Sequence, residues 1–461
     1  MGHRTPLPGE SPYSCGMRRL AIAALVLCPA LALGNGRAPL TNGVHFQPGD
    51  NHSLYVATTF GLLISHDDGC SFRWVCEQSI GYAGTFDPKY RIAADGTIFA
   101  TTYTGLRVSR DGGCSFTTAT ADAPAGDPGR IADSWVDAID IASNGDVWVV
   151  TADNGKPNNA YRSTDNARTF APAGLASPSV WWKSVAAAPS RPQRVYITGY
   201  QVAGVMPDGG QSPPTTHLQI SDDSGAHWHE SALTGVAFGA MPLVYVLGVD
   251  PSNPDIVLLS SSLANAAGDR LYRSTDGGTS WSDVLDTSSP IVDLSIEATG
   301  TVLVATLGTS GAGNGPFQST DRGASFAPMA GAPQLACIGQ RSDGAVFGCG
   351  ANWEPDFKAV ARTTDGTSWS KLFRFVELAG PLDCPAGTGE HDTCGEMWPA
   401  LQQQFATTGP TACGLDSPPA DDAPPLSKKS GGCCETGTAP GALGGFALLA
   451  ALCLGLARRR R

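Results

Sequence analysis

"SHDDGCSF", from Ser65 to Phe72, places Ser, Asp, Gly and Ser within eight residues that end on an aromatic ring. The stretch recurs six more times, and successive copies start 44 to 58 residues apart. That interval is roughly the length of one four-stranded propeller blade. The copies are "SRDGGCSF" from Ser109, "STDNARTF" from Ser163, "SDDSGAHW" from Ser221, "STDGGTSW" from Ser274, "STDRGASF" from Ser319 and "TTDGTSW" from Thr363.

Each copy has the composition of a tight turn between two strands. An Asp at the third position accepts hydrogen bonds from the backbone of its own turn, and Gly supplies a positive φ. The closing Phe or Trp contributes a large apolar area that can be buried between sheets. We therefore assign a structural role to the seven aspartates: Asp67, Asp111, Asp165, Asp223, Asp276, Asp321 and Asp365.

The residues between the copies predict the fold class. Short β-rich runs follow turns such as "ADGT" (Ala94 to Thr97) and "SDGA" (Ser342 to Ala345), and amphipathic helical periodicity is almost absent. This pattern predicts an all-β protein of meandering antiparallel sheets. We expect a seven-bladed β-propeller of four-stranded blades.

The repeated motif resembles that of the Asp-box (BNR) β-propellers, which include sialidases, xyloglucanases and the sortilin ectodomain. The resemblance extends from Val44 to about Phe375. It implies the propeller architecture, but such folds host enzymes and binding proteins alike.

We expect five regions along the chain. They are a signal peptide (1–34), the propeller (35–376), a Cys-containing C-terminal loop (377–416), a Pro-rich linker (417–432) and a sorting or transmembrane segment (433–461). The net charge of −12 repels phosphate backbones, so no nucleic-acid partner is expected.

Both ends of the chain have the composition of targeting segments. "MRRLAIAALVLCPALALG" (Met17 to Gly34) has a basic start, an apolar stretch and small residues, as a secretory signal does. Near the other end, Cys433 and Cys434 precede an apolar stretch and four arginines. That stretch is just long enough to cross a bilayer, and the arginines would hold its end in the cytoplasm.

The order of Cys, apolar helix and Arg cluster resembles the MYXO-CTERM sorting signal of myxobacteria and their relatives. The resemblance implies a sorting protease that acts at Cys433 or Cys434, removal of the helix, and display at the cell surface or outer membrane of a Gram-negative bacterium. A permanent membrane anchor is the alternative.

Eight cysteines lie between the two ends, and an even number in an exported chain predicts disulfides. Cys337 and Cys349 are symmetric about Asp343 in a predicted hairpin, so we expect them to be bonded. The last three could tie the C-terminal loop to a blade. Cys384, His391 and Cys394 lack the usual zinc spacing, so no metal site is predicted, although a structural calcium ion remains open.

Catalytic candidates come mainly from the sialidase resemblance. "KYRIAADGTIFATT" (Lys89 to Thr102) is similar to the Arg-Ile-Pro motif, with Ala93 in place of the proline. The resemblance nominates Arg91 to grip a substrate carboxylate. Tyr245 and Glu297 are further candidates because their predicted strands should approach the axis. The alternative is that Arg91 is a solvated or ion-paired strand residue.

A glycosidase with two carboxylates is the other enzymatic possibility. Asp137, Asp140 and Asp293 fall on or beside predicted innermost strands. Acidic residues in such positions also line water-filled pores or bind calcium.

Aromatic residues suggest carbohydrate binding. "VWWK" (Val180 to Lys183) and Trp353 lie beside predicted strands and could form sugar platforms, although such Trp residues can also fill blade interfaces. We therefore expect an exported, non-catalytic propeller that binds a glycan or a surface protein. The alternative is a sialidase-like or xyloglucanase-like glycoside hydrolase.

Overall fold

The computed structural model describes residues 38–411 apart from residues 85, 206–210, 240–241, 263–267, 308–315 and 355. The predicted signal peptide, the Pro-rich linker and the sorting cysteines Cys433 and Cys434 lie outside the described residues.

Seven four-stranded antiparallel sheets form the blades of a propeller ring, as the spacing of the repeats predicted. Each blade consists of four strands in chain order, with the first strand innermost. The first four blades contain β1 (Thr41–His45), β2 (Leu54–Thr58), β3 (Gly61–Ser65) and β4 (Arg73–Cys76); β5 (Tyr90–Ile92), β6 (Ile98–Thr102), β7 (Gly105–Ser109) and β8 (Thr117–Thr118); β9 (Val136–Ile141), β10 (Val147–Thr151), β11 (Ala160–Ser163) and β12 (Ala171–Pro172); and β13 (Val180–Ala188), β14 (Arg191–Gln201), β17 (Thr215–Ser221) and β18 (His229–Glu230).

A small hairpin, β15 (Gly204–Val205) with β16 (Gln211–Ser212), extends the fourth blade between its second and third strands. The other three blades have the plain four-stranded form. They contain β19 (Val244–Val249), β20 (Val257–Ser262), β21 (Asp269–Ser274) and β22 (Ser282–Asp286); β23 (Ile291–Ile296), β24 (Val302–Thr306), β25 (Phe317–Ser319) and β26 (Ala327–Pro328); and β27 (Cys337–Gln340), β28 (Val346–Cys349), β29 (Val360–Thr363) and β30 (Ser370–Phe373).

This connectivity gives the ring two distinct faces. Hairpins between first and second strands, and turns between third and fourth strands, lie on one face, here called the turn face. Turns between second and third strands, and the connections from each blade to the next, lie on the opposite face, here called the connection face. All seven repeated motifs are therefore on the turn face.

The repeated turns share one hydrogen-bond pattern. In each, the hydroxyl of the first Ser or Thr donates to the Asp two residues later, over 2.7 to 3.0 Å. In the fifth turn the Ser280 hydroxyl and backbone N–H also donate to Asp276. The bond from the hydroxyl is the main reason that the pKa of Asp276 is lowered to about 2. The closing Phe72 and Trp281 rings are buried. The motif thus ties each turn to itself and anchors it to the core.

The core is divided among the blade interfaces. In the described part of the chain, seven clusters of buried apolar side chains each join two neighbouring blades. Trp148 and Trp182, for example, belong to the cluster between the third and fourth blades. The ring is therefore held by side chains packed between sheets.

Residues after the last blade form a strap over the first and second blades, where a loop was expected. The strap, residues 375–411, contains a 3₁₀ turn (Phe375–Glu377), a π-helical turn (Glu390–Cys394) and a helix, α2 (Gly395–Phe405). Its Ala379–Leu382 segment bonds to the backbone of the outer strand β4. The helix packs Leu401 and Phe405 on the cluster between the last and first blades, so tertiary contacts order a segment with weak local signals.

Two disulfides attach the strap to the ring. Cys394 is bonded to Cys76, just before the short helix α1 (Glu77–Ile80), and Cys384 is bonded to Cys114 of the second blade. The bond expected between Cys337 and Cys349 is present across the hairpin of β27 and β28. Every cysteine in the described ranges is disulfide-bonded, which indicates an oxidising compartment outside the cytoplasm.

Candidate functional site

A cavity of about 870 Å³ occupies the pore and opens on the turn face. Backbone and side chains of five inner strands line it, because the first strand of each blade faces the axis. The inner strands contribute the polar side chains of His45, Arg91, Asp140, Asp293, Ser295 and Gln340, and turns at the rim add Asp95, Ser143, Asn144, Thr164, Asp165 and Asn166. Three of the acidic and basic residues that the sequence nominated therefore share one cavity.

Asp140 and Asp293 each fasten one blade to the next. An oxygen of Asp140 accepts the backbone N–H of Ala187 on β13 at 2.9 Å. An oxygen of Asp293 accepts that of Ile338 on β27 at 3.0 Å, and its other oxygen accepts that of Leu294 at 2.9 Å. Both carboxylates thus replace backbone partners between inner strands that do not pair directly.

Arg91 is an ion-paired strand residue in this structure. Its Nε lies 3.4 Å from Oδ1 of Asp140, and its Nη1 donates to the carbonyl of Tyr90 at 3.0 Å. The charge of Arg91 is therefore paired with that of Asp140 on the neighbouring inner strand β9.

The enclosed pore shifts two titratable groups towards their neutral forms. Burial raises the pKa of Asp293 to about 6, although two backbone N–H groups oppose the shift. Burial, reinforced by the charge of Arg91, lowers the pKa of His45 to about 3. His45 is therefore uncharged at neutral pH.

Tyr245 and Glu297 do not meet. Tyr245 is the second residue of β19, near the connection face, and Glu297 follows the end of β23, on the turn face. Five residue levels, or about 16 Å of strand, separate two such positions. Glu297 accepts a hydrogen bond from Thr299 within its own hairpin. The two side chains therefore cannot act as one nucleophile pair.

The mouth of the pore on the connection face carries a group of aromatic rings, here called the aromatic mouth. Ring centroids of Phe86 and Tyr103 are 4.6 Å apart, those of Tyr103 and Trp135 4.8 Å, and those of Trp135 and Trp181 6.3 Å. Tyr103 is 47% exposed, and the others are half-buried. The rings come from the second, third and fourth blades and form one continuous surface.

Two lysines and an aspartate lie beside these rings. The Nζ of Lys183 is 3.0 Å from Oδ1 of Asp137 and 4.8 Å from the centroid of Trp135. The Nζ of Lys89 is 3.7 Å from Oδ2 of the same carboxylate. Asp137, one of the carboxylates nominated from the sequence, is thus paired with lysines.

Strand alternation explains why only part of "VWWK" reaches the aromatic mouth. Trp181 and Lys183 are two residues apart on β13 and reach the aromatic mouth, whereas Trp182 is buried between blades and its indole N–H donates to Leu175. Of the two tryptophans in this stretch, Trp181 therefore lies in the aromatic mouth and Trp182 fills a blade interface. Phe86, Tyr103 and Trp135 were not nominated, although Tyr103 directly follows a second strand and Trp135 directly precedes a first strand.

In the described part of the chain, the large hydrophobic side chains that are exposed lie on the connection face. Among the described residues, seven large hydrophobic side chains are exposed, and each lies in a connection, in a turn between second and third strands, or at the start of a first strand. They are Leu40, Tyr103, Val202, Phe238, Val292, Leu307 and Trp353. Because the aromatic mouth lies on the same face, the connection face is the stronger candidate for binding.

The described residues contain no cluster of side chains for a metal ion and no helix for a bilayer. Across residues 38–411, outside the gaps given above, no group of three or more His, Cys, Asp or Glu side chains is placed to hold a metal ion. Cys384 and Cys394 are each in a disulfide. None of the helices described there is both long and apolar enough to span a bilayer.

Comparison with known proteins gives structural neighbours only. No family model matches the chain, and no curated protein does. A GH74 xyloglucanase from Xanthomonas campestris is 15% identical over 72% of this chain and 66% of that chain, with a TM-score of 0.40. A PL25 ulvan lyase is 14% identical over 70% of this chain and 92% of that chain, with a TM-score of 0.41.

A structure of YCF48 bound to D1 peptide is 16% identical over 52% of this chain and 68% of that chain, with a TM-score of 0.35. The match of this chain to the xyloglucanase spans about two thirds of the length of that enzyme. Identities this low leave the function to be argued from the side chains themselves.

Proposed function

We propose that this protein is an exported, non-catalytic β-propeller that binds carbohydrate at the aromatic mouth. The observation that supports this is the continuous row of Phe86, Tyr103, Trp135 and Trp181 beside two lysines at the pore entrance. Aromatic faces pack against the C–H faces of pyranose rings, and the hydroxyl of the exposed Tyr103 can bond to a sugar hydroxyl.

Catalysis is not part of the proposal because the nominated acidic and basic groups already have partners. Asp140 and Asp293 accept backbone N–H groups, Asp137 pairs with lysines, and Arg91 pairs with Asp140. A glycoside hydrolase needs one carboxyl group to donate a proton and another to attack or to activate water. These side chains are instead used to join blades.

Glycan-array screening of the purified full-length protein, followed by calorimetric titration of the best ligands, tests the proposal. Tyr103→Ala should weaken binding about 5- to 10-fold, since one stacked ring contributes about 1 kcal/mol. The matched control is Trp353→Ala, because Trp353 is 41% exposed on the same face but belongs to the seventh blade. That variant should bind like the wild type.

Three outcomes would overturn the proposal. If the array shows no ligand, the protein does not bind carbohydrate as proposed. If Tyr103→Ala and Trp353→Ala lose equal affinity, the aromatic mouth is not the binding site. Release of reducing ends from any bound polysaccharide would restore the glycoside hydrolase alternative.

The repeated turns and both chain ends support a further part of the proposal. We assign the protein to the Asp-box propellers and propose that a MYXO-CTERM-type protease sorts it to the cell surface. Replacing both Cys433 and Cys434 by Ser should leave the chain in the inner membrane with its apolar segment attached. Fractionation and protease shaving of intact cells measure this, and unchanged surface exposure would contradict the sorting step.

A further inference from the structure

The arrangement of charges at the aromatic mouth bears on the class of sugar that it would bind, an inference that rests on the proposed function. Asp137 is the carboxylate shared by Lys89 and Lys183, and its side chain is only 6% exposed. One carboxylate between two ammonium groups leaves a surplus positive charge. That surplus lies directly beside the exposed rings.

The two lysines differ in their availability. Lys183 is 14% exposed, and its ammonium is held between Asp137 at 3.0 Å and the ring of Trp135. Lys89 is 47% exposed, lies farther from Asp137 at 3.7 Å, and makes one long bond of 3.5 Å to the carbonyl of Lys183. Desolvation at the pore mouth lowers the pKa of Lys89 from its usual value, and the charge of Asp137 opposes that shift. Lys89 is therefore the cation that a ligand can reach.

Asp137 is the carboxylate whose charge acts on Lys89, and the other charged groups near the mouth have partners of their own. Burial, together with Asp137 and Asp269, raises the pKa of Tyr245 to about 12, so this phenol is neutral. Asp269 accepts the backbone N–H of Ile291, and Asp153 accepts that of Trp135. Arg91, two residues beyond Lys89, pairs with Asp140 deeper in the pore.

We propose that the aromatic mouth binds an acidic polysaccharide and that Lys89 is the residue that selects it. The carboxylate or sulfate of one sugar residue contacts the Lys89 ammonium, while a pyranose face packs on Tyr103 and Trp135. An ammonium is a compact point charge that accepts either anion. The whole chain carries a net charge of −12, so its average field repels polyanions and their binding requires a local cation such as Lys89.

Matched oligosaccharide pairs test the inference with the full-length protein in calorimetric titrations. Oligogalacturonate is compared with its methyl ester, and a sulfated galactan oligosaccharide with its desulfated form. In at least one pair, the charged member should bind about 10-fold more tightly than the neutral one, as expected for a charge-assisted hydrogen bond. Which pair responds distinguishes carboxylate from sulfate recognition.

Variants identify the responsible cation. Lys89→Ala should remove the preference for the charged member and flatten the salt dependence, whereas Lys89→Arg should retain both. The matched control is Lys156→Ala, because Lys156 is an exposed lysine on the same face whose ammonium bonds to the carbonyl of Asp133. That variant should behave like the wild type.

Carbohydrate binding at the aromatic mouth and selection of acidic sugars by Lys89 are contradicted by different results. If neutral and charged members bind equally, or if Lys89→Ala keeps the preference, acidic-sugar selection is overturned while Tyr103→Ala still reports carbohydrate binding. If no oligosaccharide binds and the array is also empty, the proposed function falls and the selection falls with it.

Discussion

The disulfide between Cys76 and Cys394 joins the outer strand of the first blade to a helix 318 residues later in the chain. The four strands of each blade come from one continuous stretch of the chain, so no blade is shared between the two ends of the chain. The first and last blades must therefore be held together by other means. The strap and its disulfides provide that closure, along with the apolar cluster that both blades and the strap share.

Removing this bond should loosen the strap while the hairpin disulfide has a local effect. With Cys114–Cys384 intact, the bond closes a loop of about 50 residues, which is worth about 4 kcal/mol in the chain-entropy model. Cys76→Ser/Cys394→Ser should lower the melting temperature and allow limited proteolysis within residues 375–411. Cys337→Ser/Cys349→Ser is the control, and cleavage of the strap there too would contradict a specific closing role.

Glu390 should make the strap sensitive to alkaline pH. The side chain is fully buried, no other side chain in the described ranges donates a hydrogen bond to its carboxylate, and its backbone N–H donates to the carbonyl of Cys114. Burial is the main cause that raises the pKa of Glu390 to about 7. Its stabilising contribution is therefore complete below the unfolded value near 4.5 and is lost as the pH rises through 7.

Glu390→Gln should remove this dependence because the amide stays neutral. At pH 8 the variant should be more stable than the wild type by roughly 3 kcal/mol, and the gap should close towards pH 5. Chemical denaturation at both pH values measures it. A constant difference between the two proteins across this range would argue against the titration of Glu390.

Asp68 should be important for closing the ring on the turn face. Its carboxylate bonds to Arg341 at 2.6 Å and to Arg362 at 3.1 Å, both in the seventh blade. The Arg341 side chain is only 2% exposed, and it also pairs with Asp343. Asp68→Ala would leave a buried guanidinium with one partner fewer, which costs about 1–3 kcal/mol.

Urea denaturation of Asp68→Ala should show this loss of stability. Asp122→Ala, at an exposed position in the second blade's connection, should change stability by less than about 0.5 kcal/mol. Equal stability of Asp68→Ala and the wild type would mean that the ion pairs contribute nothing net to closure.

Asp293 should matter for stability and not for chemistry. Asp293→Ala removes acceptors from the N–H groups of Leu294 and Ile338 inside the pore, so we expect a loss of about 1–3 kcal/mol. Glycan affinity at the aromatic mouth should not change. The milder Ser295→Ala serves for comparison, since its hydroxyl accepts only one long bond of 3.4 Å from Gln340. A glycan-cleaving activity abolished by Asp293→Ala would refute this assignment.

The sequence alone determined the blade architecture. Seven copies of a turn motif at regular spacing specify seven hairpins, because Asp, Gly and Ser act through local hydrogen bonds and backbone conformation that depend little on distant residues. The bond between Cys337 and Cys349 could be predicted from the sequence for the same reason. These cysteines lie opposite each other in one hairpin, with a sequence separation of 12.

Only the tertiary structure decided which residues could form a site. Arg91 and Tyr245 lie on inner strands and Glu297 directly follows one, but their height along the pore depends on how the strands of different blades align, and Tyr245 and Glu297 lie near opposite faces. The aromatic mouth unites residues from three blades, none adjacent in sequence. Phe86, Tyr103 and Trp135 come from connections and a turn, and Trp181 comes from the start of β13. The packing of the blades sets the distances between them, which local sequence patterns do not encode.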